Sequence, residues 1–127
     1  MFHYTVETAK TIQQVIQDLE QSLKSRKFGV LWAFDLTATL HSKGIEFTKP
    51  YHILEVCNPV RAKEVLSEDD LVGYFLPCKI VVYDDGGVTK IGLPRPTALM
   101  KMIERPALQP IAQIVEQTLI SAIDEAK

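Results

Sequence analysis

The chain opens on a period of two. In "FHYTVE", Phe2, Tyr4 and Val6 alternate with His3, Thr5 and Glu7, the pattern of a half-buried strand. The period then changes. Across "TIQQVIQDLEQSLKSRKFG", Ile12, Val15, Ile16, Leu19 and Leu23 fall on one helical stripe. Thr11 with Gln14 forms a capping-box pattern at the start of this helix, and Lys24, Arg26 and Lys27 suit the negative pole at its end. "FGVLWAF" returns to strand character, with Trp32 and Phe34 expected in the core. The next piece, "DLTATLHSKG", fits two patterns: continued alternation through Leu36, Ala38 and Leu40, or a short helix. The helix is preferred, because Asp35 can cap its start and Gly44 can take the left-handed conformation past its end.

"YHILEVC" is a third strand. "NPVRAKEVLSEDD" then starts a helix with Asn58 as cap and Pro59 at the first helical position, and Ala62, Val65 and Leu66 give it an apolar side. "YFLPCKIVVY" is a fourth strand, and "DDGG" turns the chain into a fifth, "VTKIGL", through a tight hairpin. "TALMKMIE" reads as a short helix with Met100 and Met102 on different sides. The last helix starts near Pro106 or Ala107, with Leu108, Ile111, Ala112, Val115, Leu119, Ala122 and Ile123 on its apolar stripe. Ile114 and Ile120 lie off that stripe and suit a partner chain. The order β-α-β-α-β-α-β-β-α-α predicts an α+β fold: a single, mostly antiparallel sheet of about five strands with helices packed on it.

With 127 residues, the chain fits a single domain over 1–127. The net charge is −2 and the basic residues are scattered, which argues against a nucleic-acid partner. No apolar run reaches the length of a membrane span, and "MFHYTVETAK" lacks the layout of a signal peptide. A cytoplasmic location follows as the expectation, and with it reduced thiols.

The two cysteines each neighbour a proline, Cys57 in "CNP" and Cys78 in "LPC". Cys57 sits where a helix begins, and the positive end of that helix would lower its thiol pKa. Against this stands the plainer reading of a small buried residue closing a strand, which the residue types favour for Cys57 and favour more strongly for Cys78. If the third and fourth strands are antiparallel neighbours, both thiols lie at one edge of the sheet. With Glu55 and Lys79 on a shared polar face, however, they point to opposite sides unless a bulge near Pro77 resets the register. For metal, the candidates are His3, His41, His52 and Cys57, with Cys78 as a further thiol; none forms a metal-binding spacing. "DDGG" is read as a turn, and Glu68, Asp69 and Asp70 as a solvated loop. No Ser-His-Asp arrangement, nucleotide loop or carboxylate pair can be argued.

"YHILEVCNPVRA", followed by "GYFLPCKIVVY" and "DDGGV", resembles the bacterial and archaeal family known as domain of unknown function 302. Ile53, Cys57, Asn58, Pro59, Ala62, Gly73, Leu76, Pro77, Cys78, Val81, Val82 and Tyr83 carry the likeness, and Lys79 departs from it, since relatives often have Asn there. The resemblance implies a compact fold like that of the TATA-binding-protein class, often dimeric, and implies no activity, so the cofactor stays unknown.

Three functional readings follow. The first is a small homodimeric module that binds a ligand or a metal, with Cys57, Asn58 and Cys78 as candidate residues where a helix start and a thiol converge. The second is a thiol-dependent redox enzyme using Cys57, with Cys78 as resolving partner. The third is a structural or interaction protein that dimerises through its sheet or its last helix.

Overall fold

The computed structural model describes residues 1–127. Its elements follow the predicted order: β1 (His3–Thr8), α1 (Ile12–Lys24), β2 (Gly29–Asp35), α2 (Leu36–Ser42), β3 (Tyr51–Cys57), α3 (Pro59–Glu68), β4 (Cys78–Asp85), β5 (Val88–Pro94), α4 (Pro96–Met100) and α5 (Leu108–Ala126). Two short 3-10 segments, Asp70–Phe75 and Lys101–Ile103, complete it. The five strands form one sheet in the order β1-β5-β4-β3-β2, and every pairing is antiparallel.

Capping chemistry fixes the helix starts. Thr11 accepts from the backbone N–H of Gln14 at 3.2 Å. The Gln14 side chain turns to Asp18 instead of back to Thr11, so only half of the capping box forms. Asp35 accepts from Ala38 N–H at 2.9 Å, which settles the ambiguous stretch in favour of a helix. Asn58 Oδ1 accepts from both Val60 and Arg61 N–H, at 3.0 and 3.2 Å. Gly86 and Gly87 both take positive φ, 61° and 93°, in the two-residue loop between β4 and β5, as a tight hairpin turn requires.

The pairing register sorts the sheet residues onto two faces. Leu54, Val56, Ile80, Val82, Ile91 and Leu93 face α1 and α5 and are buried with Leu19, Leu23, Leu119 and Ile123 in a core of 15 residues. Each such Leu or Ile side chain, fully removed from water, contributes about 1.5–3 kcal/mol. A second core of five residues, Val65, Val72, Met100, Leu108 and Ala112, lies beneath α3 and α4. The two long helices are tied together by Ser22, whose hydroxyl donates to the Ala122 carbonyl at 3.0 Å, and by the Arg26–Glu125 ion pair at 3.2 Å.

The opposite face carries Thr5, Gly92, Val81, Ile53 and Phe34 in one cross-strand row, and Lys79, Glu55 and Trp32 in the next. None of these residues belongs to either core. Trp32 and Phe34 therefore correct the expectation that placed them in the core. Trp32 is 52% exposed and stacks on Phe34 with ring centroids 4.8 Å apart. The alternation holds, but its aromatic side faces away from α1 and α5. Leu66 likewise stays 41% exposed on α3, while Val65 takes the buried position. Met100 is buried and Met102 exposed, as their spacing predicts.

Candidate functional site

The end of β3 and the start of β4 lie side by side, with Val56 opposite Cys78. Val56 and Cys78 therefore share the helix-covered face, and Glu55 pairs with Lys79 on the other, where their side chains meet at 3.1 Å. Pleating alone would send Cys57 away from Cys78. Yet both cysteines line one cavity of about 30 Å³. Cys57 is the last residue of its strand, and Asn58 and Pro59 turn the chain there into α3, so strand parity no longer governs it. The sheet's one register shift lies between Val30 and Trp32 in β2, not near Pro77, so the convergence owes nothing to the bulge considered from the sequence.

Ten of the 13 residues around the cavity are hydrophobic, and it lies where the two cores meet. Phe28, Val56 and Val115 reach it from the larger core; Val65, Met100 and Ala112 reach it from the smaller. Arg61, also on its wall, is held by Glu64 at 2.9 Å. Burial pushes the Cys78 thiol up to about 11, with the charge of nearby Cys57 adding to the effect and Lys79 opposing it. Cys78 is thus a neutral thiol across the physiological range. At the start of α3, the leading N–H groups are taken by the Asn58 side chain, which makes this helix start a capped terminus and not an open anion site.

A second recess of about 140 Å³ adjoins the first and shares Leu76, Cys78, Pro96 and Met100 with it. Tyr74, Phe75 and Leu99 line its far side.

The metal candidates do not come together. His3 is on β1 with Nδ1 2.9 Å from Thr5 Oγ1; His41 is exposed in the last turn of α2; His52 is on β3, 4.0 Å from Asp35; Cys57 closes β3. No group of three or more His, Cys, Asp or Glu side chains is placed to hold an ion. A protein zinc site needs at least three such ligands, so the fold gives the candidate metal set no common centre.

One polar constellation was not anticipated. Glu116 is buried on α5 and accepts from Thr97 Oγ1 at 2.7 Å, Thr97 N–H at 3.0 Å and Arg95 Nε at 3.2 Å. Desolvation, the largest single influence, raises its carboxyl pKa; the bonds from Thr97 and Arg95 together outweigh it, and the net shift is downward. The available signal was a carboxylate four residues after Ala112 and three before Leu119, within the apolar stripe. With every partner satisfied, the network is a structural clasp between α4 and α5. No helix is long and apolar enough to cross a membrane.

The chain is similar to known proteins along nearly its whole length. The family model described as "Domain of unknown function DUF302" matches residues 4–126. A crystal structure of an uncharacterized conserved DUF302 protein from Bacillus stearothermophilus is similar over 100% of this chain and 99% of its own, with 51% sequence identity and a TM-score of 0.97. The search of curated proteins found no match.

Proposed function

The chain belongs to the DUF302 family, and on that premise we propose that it is a small homodimeric ligand-binding module with its site at the Cys57–Asn58–Pro59 corner. The occupant is small, uncharged and apolar. One observation carries this reading: residues far apart in the chain converge on an apolar cavity at the junction of two cores, beside a thiol that stays neutral. A lining this apolar offers water few hydrogen-bond partners and accepts apolar atoms. Xenon is the matching probe. Under xenon pressure, the methyl resonances of Val65 and Val115 shift saturably in labelled protein; shifts that only grow in proportion to pressure would refute the site.

The homodimer is assigned to the sheet face that neither core covers. Trp32, Phe34, Ile53 and Val81 make its centre apolar, and the Glu55–Lys79 pair beside them already neutralises its charges. Sedimentation at tens of micromolar gives a dimer, and Phe34→Glu gives a folded monomer. A monomeric parent protein removes this part of the reading.

Thiol redox chemistry is the second reading, favoured by the placement of both cysteines on one cavity. The raised pKa of Cys78 works against it, because a resolving thiol acts as thiolate. Exposure to oxidised glutathione decides: an intramolecular Cys57–Cys78 bond supports it, and glutathione retained on one cysteine alone counts against it.

A further inference from the structure

The recess across Cys78 has the size and chemistry of a ring pocket. Its volume is about 140 Å³. An apolar cavity of roughly 150 Å³ accepts benzene. No carboxylate lines it, and its only charged residue, Lys79, has its ammonium 3.1 Å from Glu55. An anionic ligand would have to compete with that carboxylate, and a cationic one would find no counter-charge. Two aromatic rings, Tyr74 and Phe75, stand on its wall. The partition toward the 30 Å³ cavity includes Met100, an unbranched and adaptable side chain.

We propose that this recess binds one uncharged aromatic ring of benzene to indole size, seated between Phe75, Leu99 and Cys78, with Met100 as the movable wall toward the Cys57 corner. The inference rests on the ligand-binding reading and names its ligand class: an aromatic ring in the outer recess whose small apolar substituent enters the inner cavity. Cys78 faces both chambers, which gives a neutral, polarisable thiol at that position a use that strand packing alone does not.

The test is an indole titration of the full chain carrying labelled Leu, Met and Val methyl groups, with benzoate as the charged counterpart. Saturable shifts of the Leu99 and Met100 methyls with indole, and none with benzoate, are the expected result. Leu99→Trp fills the recess and weakens indole at least about ten-fold, equivalent to ~1.4 kcal/mol. Leu119 methyl positions unchanged from the parent show that the variant is folded. Met100→Leu, a change of similar volume, serves as second variant and alters the indole affinity while the fold persists. Non-saturating shifts at Leu99, or equal binding of benzoate, overturn the proposal. Saturation by xenon at Val65 and Val115 without any by indole at Leu99 also overturns it while leaving the inner site standing. The reverse pattern keeps the ring pocket and removes the inner site.

Discussion

The two cores are built from similar residue types and differ in the length of the elements that enclose them. The larger one lies between a continuous sheet and two long helices, and Leu19, Leu23, Leu54, Ile80, Ile91, Leu119 and Ile123 all reach zero exposure there. The smaller one is walled by short pieces: α3, the 3-10 segment 70–75, α4 and the first turns of α5. Short elements cannot interdigitate over a long stripe, and the residue that closes the gap is Met100, a side chain suited to irregular space. The cavity lies where the two cores join. The contrast is one of geometry: the sheet core is built on long elements, and the seam with the lesser core holds the cavity to which the proposed ligand is assigned.

Truncation in each core breaks or sharpens this contrast, and it carries the largest expected effect. Leu119→Ala opens a void inside tightly packed surroundings and should cost about 3–5 kcal/mol. Met100→Ala acts beside an existing void with adaptable walls and should cost about 2–3 kcal/mol. Urea midpoints at constant m-value measure both. Equal losses would show that the two regions are packed alike.

Next in size is a close approach on the uncovered face. A Cβ on Gly92 would stand 2.7 Å from Thr5 Oγ1 and 3.2 Å from the Tyr4 carbonyl oxygen. Thr5 branches at Cβ and Tyr4 offers backbone, so neither yields easily. Gly92→Ala should lose about 1–3 kcal/mol by overpacking. Combined with Thr5→Ala, it should lose less than the sum of the single changes, because the clash partner is gone. Strict additivity would mean that Thr5 is not the obstacle.

The clasp around Glu116 sets the third effect, and pH reads it. Its folded-state pKa lies below the ordinary 4.5, so its contribution is complete above that value and is lost as pH falls through the lower, folded value. Glu116→Gln should cost about 1–2 kcal/mol at pH 7. The gap between parent and variant should narrow when unfolding is followed down to acid pH. A gap independent of pH would assign the loss to shape and not to charge.

Much of the fold was legible because its signals are local. Period-two and period-3.6 patterns placed the strands and helices, and Asp35, Asn58 and the glycine pair marked caps and turn. Periodicity does not say which face of a strand meets the helices when both are apolar, and for that reason Trp32 and Phe34 were put on the wrong side. The placement of the candidate residues was legible in part. Cys57, Asn58 and Cys78 were named from their place at a strand–helix–strand corner, and the structure gathers them on one cavity. Parity arithmetic separated the thiols because it treats a strand as endless, whereas Cys57 is where β3 stops. Phe28, Val115 and Ala112 were beyond reach. Each reads as ordinary core, and only the meeting of distant helices makes it a wall.

The smallest effect tests the seam directly, and its sign matters more than its size. If the cavity is unfilled space between the cores, one added methyl group should improve packing there and nowhere else in the sheet core. Val65 lies on the cavity wall at 5% exposure, on the apolar side of α3. Val65→Ile should therefore raise stability by about 0.5–1 kcal/mol, the gain typical of filling a void. The same added group in the sheet core, as in Val82→Ile, should be neutral or destabilising, since Val82 is fully buried there and lines neither cavity nor recess. Val65→Ile should also abolish the saturable xenon shift at Val115, because stability and occupancy compete for one volume. A stabilised variant that still takes up xenon at Val115 would separate the void from the binding site, and the corner would then be a packing defect with no ligand role.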